Sequence, residues 1–387
     1  MVDSLLNSRV PAEPGPRSAV MREIIRNIEE GNYAVGQPLP STRKLSETLN
    51  VHRGTITRAF SLLEDEGYLK VGASGMRIVA PKAQQASKFV GQSIAMLIMP
   101  PESWRGNSHE SGWLEYIDRG MFEQIRAEKL HAMWLHPDLV DEAMISDLMR
   151  NRPQGIVVGE HAARLPGVVS LLEPLHKSGL PMVVYGDAPR LASFDRVVSD
   201  HESGAYQLTK WLISRGCKRI VMLFGENRNY YWTEGRISGC RRALEEAGLP
   251  FQEPVYAPLQ EGRKTSKEIF DETVRTIGSY FIEHLGSNRA DAILCASDCL
   301  VFPVAGLVRL AGWQPGRDML IAGYDNYWHE APERRFEDVK PAATVDKLNP
   351  EIGKEMVKLL LERISGSLPD EPQRRVVVPK MIVTQSY

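Results

Sequence analysis

Residues 94–323 alternate short apolar runs with longer amphipathic stretches, and this limits the fold more than any other feature of the chain. Apolar runs at 94–99, 131–135, 155–158 and 182–185 read as buried strands, with helices at 112–128, 140–150 and 167–177 between them. A second series opens at His201: helices 201–215, 233–247, 264–285 and 299–311 alternate with strands 219–224, 254–257, 291–295 and 319–323. Strands joined through helices run parallel, and a parallel sheet needs helices over its faces. The two series predict an α/β fold of two doubly wound lobes. Ligands of such sheets bind beyond the carboxyl ends of the strands, here in a cleft between the lobes.

The N-terminal part has a different rhythm. Val20, Ile24 and Ile28 mark one face of a first helix that ends near Gly31, and Pro38-Leu39-Pro40 stops any helix. Ser41 is placed to cap a second helix that turns Leu45 and Leu49 inward. A turn at Asn50-Val51-His52 leads to a third helix, from about Arg53 to Glu66. Ile56, Ala59, Phe60 and Leu63 recur there at helical spacing, while Arg53, Thr57 and Arg58 lie off that stripe. Residues 67–72 and 75–79 read as two short strands around a glycine-containing tip. This is a winged helix-turn-helix over residues 18–80, preceded by an extension, 1–17. A linker follows at 81–91, with one proline and no large apolar residue between 80 and 88, and the two-lobed region occupies 92–387.

Charge supports a nucleic-acid role for the head. The chain of 387 residues has a net charge of −2, but residues 1–82 carry 11 Lys+Arg against 9 Asp+Glu. Between positions 43 and 58, Arg43, Lys44, Arg53 and Arg58 are opposed only by Glu47. Such a cluster can neutralise phosphates, although a solvated helix face has the same composition. An arginine fork at Arg43 or Arg53 can clamp phosphate or bond guanine bidentately, and Thr55 can reach a phosphate or a thymine methyl. His52 can do either or simply be a surface residue.

The segment EEGNYAVGQPLPSTRKLSETLNVHRGTITRAFSLLEDEGYLKV resembles the DNA-binding domain of the GntR family, with its G-x-Y-x-x-G-x-x-L-P-S-x-R-x-L pattern. The resemblance implies double-stranded operator DNA as partner. It makes Arg43 the pattern arginine of the second helix, Arg53 and Thr55 contacts of the recognition helix, and Gly75 the wing-tip glycine. Two positions depart from the pattern. His52 stands where Ser or Thr is usual, and Gly54 lies inside the recognition helix, where glycine costs up to ~1 kcal/mol relative to alanine.

Beyond residue 92, the segments VVSDHESGAYQLTKWLISRGCKRIVMLFG, GRISGCRRALEEAGL, DAILCASDCLVFPVAGLVRLAG, IAGYDN and KPAATVDKLNPEIGKEMVKLLLERISG resemble, in order, the LacI/GalR regulator core, itself similar to type I periplasmic binding proteins. The whole architecture is similar to AraR-like repressors. The resemblance implies a homodimer and a small-molecule effector, a carbohydrate first and a nucleobase or other metabolite as the alternative. It places Arg236 as the arginine that forks onto the ligand, and Trp113 as an aromatic wall of the pocket. Asp298 directly follows the strand at 291–295, so it is a ligand acceptor, a helix N-cap, or both. Tyr230 belongs to the aromatic run Tyr230-Tyr231-Trp232 before Arg236. Asp187 follows Gly186, where the family usually has Asp, and Asp325 lies in the loop near the lobe crossover. The segment 99–112, longer than usual, is a lid or a surface loop.

Other classes fit less well. No apolar run reaches the roughly 18–20 residues needed to span a bilayer. The N-terminus lacks a basic start and apolar core, so a cytoplasmic protein is expected rather than a secreted solute-binding one. Cys217, Cys240, Cys295 and Cys299 are too few for a disulfide scaffold, and Cys295 and Cys299 have no partner pair at metal spacing. No Walker loop, nucleophile elbow or zincin motif occurs. An enzyme fused to the head would need a Schiff-base lysine, and Lys210, Lys218 and Lys340 sit in no such context. No cofactor, metal or catalytic residue is therefore expected.

Overall fold

The computed structural model describes residues 16–65, 67–72, 75–80, 90–99, 112–225, 230–259, 266–286 and 289–384. The extension 1–15, most of the linker and the segment 100–111 fall outside the described residues. The chain divides into two compact units, Met1–Ser93 with Ser146–Pro153, and Ile94–Ile145 with Gln154–Tyr387.

In the head, α1 (Pro16–Glu29), α2 (Thr42–Thr48) and α3 (Arg53–Asp65) precede an antiparallel pair, β1 (Leu69–Val71) and β2 (Arg77–Val79). Ser41 caps α2 as expected, its hydroxyl accepting from the Lys44 amide. The stripe Ile56, Ala59, Phe60 and Leu63 packs with Val20, Ile24, Leu39, Leu45, Leu69 and Val79 into one core. The segment before α2 joins the wing: the Gly36 and Leu39 amides donate to the Val79 and Arg77 carbonyls. Arg77 Nε donates to Glu64 at 2.8 Å and fixes the wing against α3.

The core follows as β3 (Ser93–Leu97), α4 (Gly112–Ala127), β4 (His131–Leu135), α5 (Glu142–Asn151), β5 (Gly155–Val158), α6 (Glu160–Arg164), α7 (Pro166–Lys177), β6 (Met182–Tyr185) and β7 (Asp195–Ser199). Then come α8 (His201–Ser214), β8 (Ile220–Phe224), α9 (Tyr231–Glu246), β9 (Val255–Tyr256), α10 (Lys267–Phe281), β10 (Ala292–Cys295), α11 (Val301–Leu310) and β11 (Leu320–Ala322). The chain ends with β12 (Ala343–Asp346), α12 (Asn349–Ile364), β13 (Arg374–Val377) and β14 (Lys380–Val383).

One lobe is built on a six-stranded sheet ordered β13-β7-β6-β5-β3-β4, the other on a four-stranded sheet ordered β11-β10-β8-β9. Their interior strands are parallel and buried but for Arg196 of β7, Ile156 facing Met182 in the first and Ile293 facing Val221 in the second. The two lobes do not follow the two sequence series. The first lobe gains β7, a strand not expected between 185 and 201, and takes α12 and β13 from the far C-terminus. Charged residues hid these strands: β7 reads DRVVS and β13 RRVV. The chain thus crosses between lobes after β7, after β12 and after β13, and the antiparallel pair β12–β14 lies on these crossings.

The returning helix is fastened by charge and by glycine. Arg363 of α12 clamps Asp195 of β7 bidentately, at 2.7 and 2.8 Å. Helices α4 and α12 touch backbone to backbone: a Cβ at Gly353 would stand 1.9 Å from the Ile117 carbonyl oxygen, and one at Gly120 would stand 2.0 Å from that of Pro350. A branched side chain here must push the helices apart. Gly353→Val should lower the unfolding free energy of the core by about 3 kcal/mol or more, measured by urea titration, whereas an exposed substitution such as Glu351→Gln should stay near wild type.

Candidate functional site

The head presents one polar face. Arg43, His52, Arg53, Thr57, Arg58 and Gly75 are exposed and Thr55 is half-buried, while the opposite side of α3 is closed in the core. Among the described residues Arg43 pairs only with Glu47, at 3.1 Å in the open, and the Thr57 hydroxyl donates to the Arg53 carbonyl at 3.1 Å. Gly75 has φ +77°, the left-handed conformation a wing tip needs. No acidic residue lies in the first turn of α3, so its positive dipole end is left to an anion.

The two departures from the GntR pattern explain each other. His52 stands at the N-cap of α3, and its Nδ1 accepts from the Gly54 amide at 3.1 Å, as a serine hydroxyl would. A Cβ on residue 54 would come within 3.2 Å of that Nδ1. The imidazole cap therefore fits because residue 54 is glycine.

In the core, the carboxyl ends of the strands and the crossings bring together a buried polar set. Glu160 follows β5, His201 follows β7, Arg236 is on α9, Asp325 follows β11 and Lys347 follows β12; all are buried. Asp325 lies between two cations, with Lys347 Nζ 3.0 Å and Arg236 Nη2 3.7 Å from Oδ1. It holds φ +91°, a strained value for a non-glycine residue and one that recurs at functional sites. Arg236 also donates to the Ala296 carbonyl. Its guanidinium lies 4.6 Å from the Trp232 ring and 3.6 Å from that of Tyr324. Burial pulls Lys347 below its ordinary value, opposed by Asp325. Burial pushes Glu160 up, against Lys347 and Arg164. Burial, with Arg236 and Lys347, holds His201 far below the usual histidine range, so its ring is neutral at pH 7.

Several atoms of this set are buried without a hydrogen-bond partner among the described residues: Glu160 Oε2, both ring nitrogens of His201, and Arg236 Nε. A buried unmet polar group costs about 1–3 kcal/mol, which a ligand can offset. Beside them is a cavity of about 40 Å³ lined by Glu160, Arg164, Tyr185, Arg190, Tyr230 and Trp232, among others. That is room for a few waters. Tyr230 stacks on Trp232 at 5.6 Å and 8°, and Arg164 lies 4.1 Å over the Tyr230 ring. A ladder of Arg164, Tyr230, Trp232, Arg236 and Tyr324 thus runs from the first lobe through the second to the crossing.

The structure sorts the expected effector residues. Arg236, Asp325 and Tyr230 come together. Asp298 is 0% exposed, and Oδ2 accepts from the Tyr327 and Trp328 amides at 2.6 and 3.1 Å while Oδ1 accepts from Thr344 at 2.8 Å. It fastens the loop that carries Asp325. Gly323 makes room for it, since a Cβ there would stand 1.8 Å from Oδ1. Asp298 is not the N-cap either: it is the first residue of the turn before α11, and the cap is Ser297, whose hydroxyl accepts from the Cys299 amide. Asp187 is taken by Arg196 at 2.9 Å and Arg374 at 2.7 Å; these bonds outweigh burial and keep its carboxyl low. It fastens β7 and β13 at the rim. The Trp113 side chain lies outside the described residues. Glu160, His201 and Lys347 were missed, although Glu160 follows an apolar strand just as Asp298 does, and Lys347 lies two residues beyond the run Ala342–Val345.

Residues 16–75 match the bacterial regulatory proteins of the gntR family, and residues 209–387 match the periplasmic binding protein-like domain. The chain joins a gntR-family head to a periplasmic binding protein-like core. It is 26% identical over 208 residues to the HTH-type transcriptional repressor PurR of Vibrio parahaemolyticus, 53% of this chain and 57% of that protein. It is also 26% identical over 259 residues to the HTH-type transcriptional regulator CelR of Thermobifida fusca, 62% of this chain and 68% of that protein. The chain thus spans little more than half the length of the first of these relatives. In fold, the chain is similar to a regulatory protein of the LacI family from Chloroflexus aggregans, with TM-score 0.59 and 19% identity over 76% of this chain and 99% of the other. It is also similar to a transcriptional regulator CelR–cellobiose complex, with TM-score 0.57 and 19% identity over 89% and 99%. No helix among the described residues is long and apolar enough to cross a membrane.

The gntR-family head yields a coupled prediction. Gly54→Ala alone should destabilise the head or leave it unchanged, because the methyl crowds the His52 cap. In a His52→Ser background the same substitution should stabilise by about 0.5–1 kcal/mol, read from thermal melts of the four variants.

The periplasmic binding protein-like core yields one in pH. Burial pushes the Asp298 carboxyl up to about 8, against its bonds to Thr344 and the loop amides. A folded-state value above the unfolded one means stability that is full in acid and lost as pH rises through about 8. The melting temperature should therefore fall between about pH 4 and 8 more steeply in the wild type than in Asp298→Asn; parallel curves would refute the assignment.

Proposed function

We propose that this protein is a ligand-responsive transcription regulator, a repressor of carbohydrate-utilisation genes, whose effector is a polyhydroxy compound bound between the lobes of the core. The head reads operator DNA through Arg43, Arg53, Thr55, Thr57 and Arg58 with the wing tip at Gly75, and His52 sets the start of the recognition helix. The protein acts in the cytoplasm as a homodimer on a near-palindromic site. The names of its relatives, repressor and transcriptional regulator, support this reading of the pair of domains.

One observation carries the choice of effector. The buried atoms without partners include an acceptor at Glu160, a donor at Arg236 Nε and one of each on the neutral His201 ring. Hydroxyl groups, each donor and acceptor at once, answer such a mixed set. The aromatic pair Tyr230–Trp232 is stacked on itself and flanked by Arg164 and Arg236, which disfavours intercalation of a planar base. The fold neighbour in complex with cellobiose is consistent with a sugar. Asp325 and Arg236 orient the effector; Asp298 and Asp187 support the loops around it.

The test separates the two ends of the molecule. Operator sites selected from random DNA should bind the wild type, and Arg53→Ala should weaken that binding by about 1–3 kcal/mol while leaving effector binding unchanged. A thermal-shift screen of sugars and nucleobases on the full chain should give carbohydrate hits, since a ligand at 100 times its Kd adds about 2.7 kcal/mol. A nucleobase hit with no carbohydrate hit would overturn the effector, and a carbohydrate that binds without changing operator affinity would overturn the regulation.

A further inference from the structure

We infer that Tyr231 is a specificity-determining residue of the cleft. It reaches from the second lobe into space that Gly186 leaves open in the first, and there it donates to one hydroxyl of the bound polyol while Glu160 accepts from that same hydroxyl. The inference rests on the polyol reading of the cleft and names the pair that reads one position of the ligand.

The packing is specific to a glycine. Tyr231 is the first residue of α9. Gly186 directly follows β6, and its amide donates to the Val197 carbonyl of β7 at 3.1 Å. A Cβ on Gly186 would stand 3.4 Å from Tyr231 Cε1, 3.5 Å from the Tyr231 hydroxyl and 3.3 Å from Leu191 Cδ1. The phenol therefore lies against bare backbone. Gly186 also holds φ +124°, which residues with a side chain rarely adopt. The LacI/GalR pattern usually has an aspartate here; in this chain the polar group beside residue 186 comes from the other lobe. The His201 ring meets that of Tyr231 edge to face, with centroids 5.8 Å apart and planes at 65°, and so helps to set its direction.

The chemistry is that of an unfilled pair. The Tyr231 hydroxyl is closed off from solvent and makes no hydrogen bond among the described residues, although the Tyr185 phenol lies beside it. Glu160 Oε2 is in the same condition. Both residues line the cavity of about 40 Å³, together with Tyr185 and Leu191. Burial and the nearby Glu160 push the Tyr231 phenol well above its ordinary value, so it keeps its proton at pH 7 and can donate. A donor and an acceptor left unmet on one small cavity call for a group that accepts and donates at once. A hydroxyl is such a group. A ligand carrying hydrogen at that carbon leaves both protein groups unmet, which is how a polar site rejects a deoxy analogue.

Calorimetric titration of the full chain with D-glucose, D-galactose, D-ribose, L-arabinose and cellobiose identifies the tightest binder. That sugar and its monodeoxy analogues are then titrated on the wild type and on Tyr231→Phe, which keeps the ring and removes the hydroxyl. Tyr231→Phe should bind the parent sugar about tenfold more weakly and retain operator binding. One monodeoxy analogue should bind the wild type about tenfold more weakly than the parent does, and should bind Tyr231→Phe no more weakly than the wild type. The wild-type series of analogues tests the pair even if the variant fails to fold. A variant that binds the parent as tightly as the wild type, or that loses affinity equally for every analogue, overturns the role of Tyr231 and leaves the polyol reading standing. So does a wild type indifferent to every deoxy substitution. Binding by none of the sugars overturns the polyol reading, and this assignment with it.

Discussion

The core of this protein depends on a buried guanidinium. Arg236 lies between the rings of Trp232 and Tyr324, donates to the Ala296 carbonyl and pairs with Asp325. A charge so enclosed persists only if its surroundings are fixed, because desolvation costs several kcal/mol per ion and is repaid only by good geometry. The surroundings are fixed accordingly. Lys347 closes on the other side of Asp325, Asp298 holds the loop that carries Asp325, and Gly323 leaves the space in which Asp298 sits.

Through that set, elements distant in sequence become one device. Lys347 lies on the crossing after β12, Asp325 in the loop between β11 and β12, Arg236 on the second lobe and Glu160 on the first. The set therefore draws on both lobes and includes Asp325, a residue with strained backbone in the loop after β11. The Arg164–Tyr230 stack spans the same gap from the rim.

The head and the alternating strands were legible because their signals are local. The stripe on α3, the Ser41 cap and the positions of β4, β5 and β6 follow from spacing within ten or twenty residues. Where the reading stopped, the deciding partner lay elsewhere. His52 and Gly54 look like separate departures until the imidazole is seen to accept from residue 54. Asp298 is a carboxylate at a strand end by sequence, and a saturated loop anchor once Thr344 and the Tyr327 and Trp328 amides are placed around it. Asp187 met Arg374 from the far end of the chain.

The sequence by itself determined the two kinds of domain and most strands and helices of the alternating region, and it marked Arg236 for the cleft and Asp325 for the loop near the crossover. Tertiary structure decided that the C-terminus returns to the first lobe, that β7 and β13 are strands, and which polar groups share the cleft. The reason is physical. Periodicity records which face of a segment is buried, but the buried polar set lies beyond the ends of strands, where periodicity stops. There, Asp325 pairs with Arg236 and Lys347, with Glu160 and His201 buried near them, in a low-dielectric space that only the assembled lobes create.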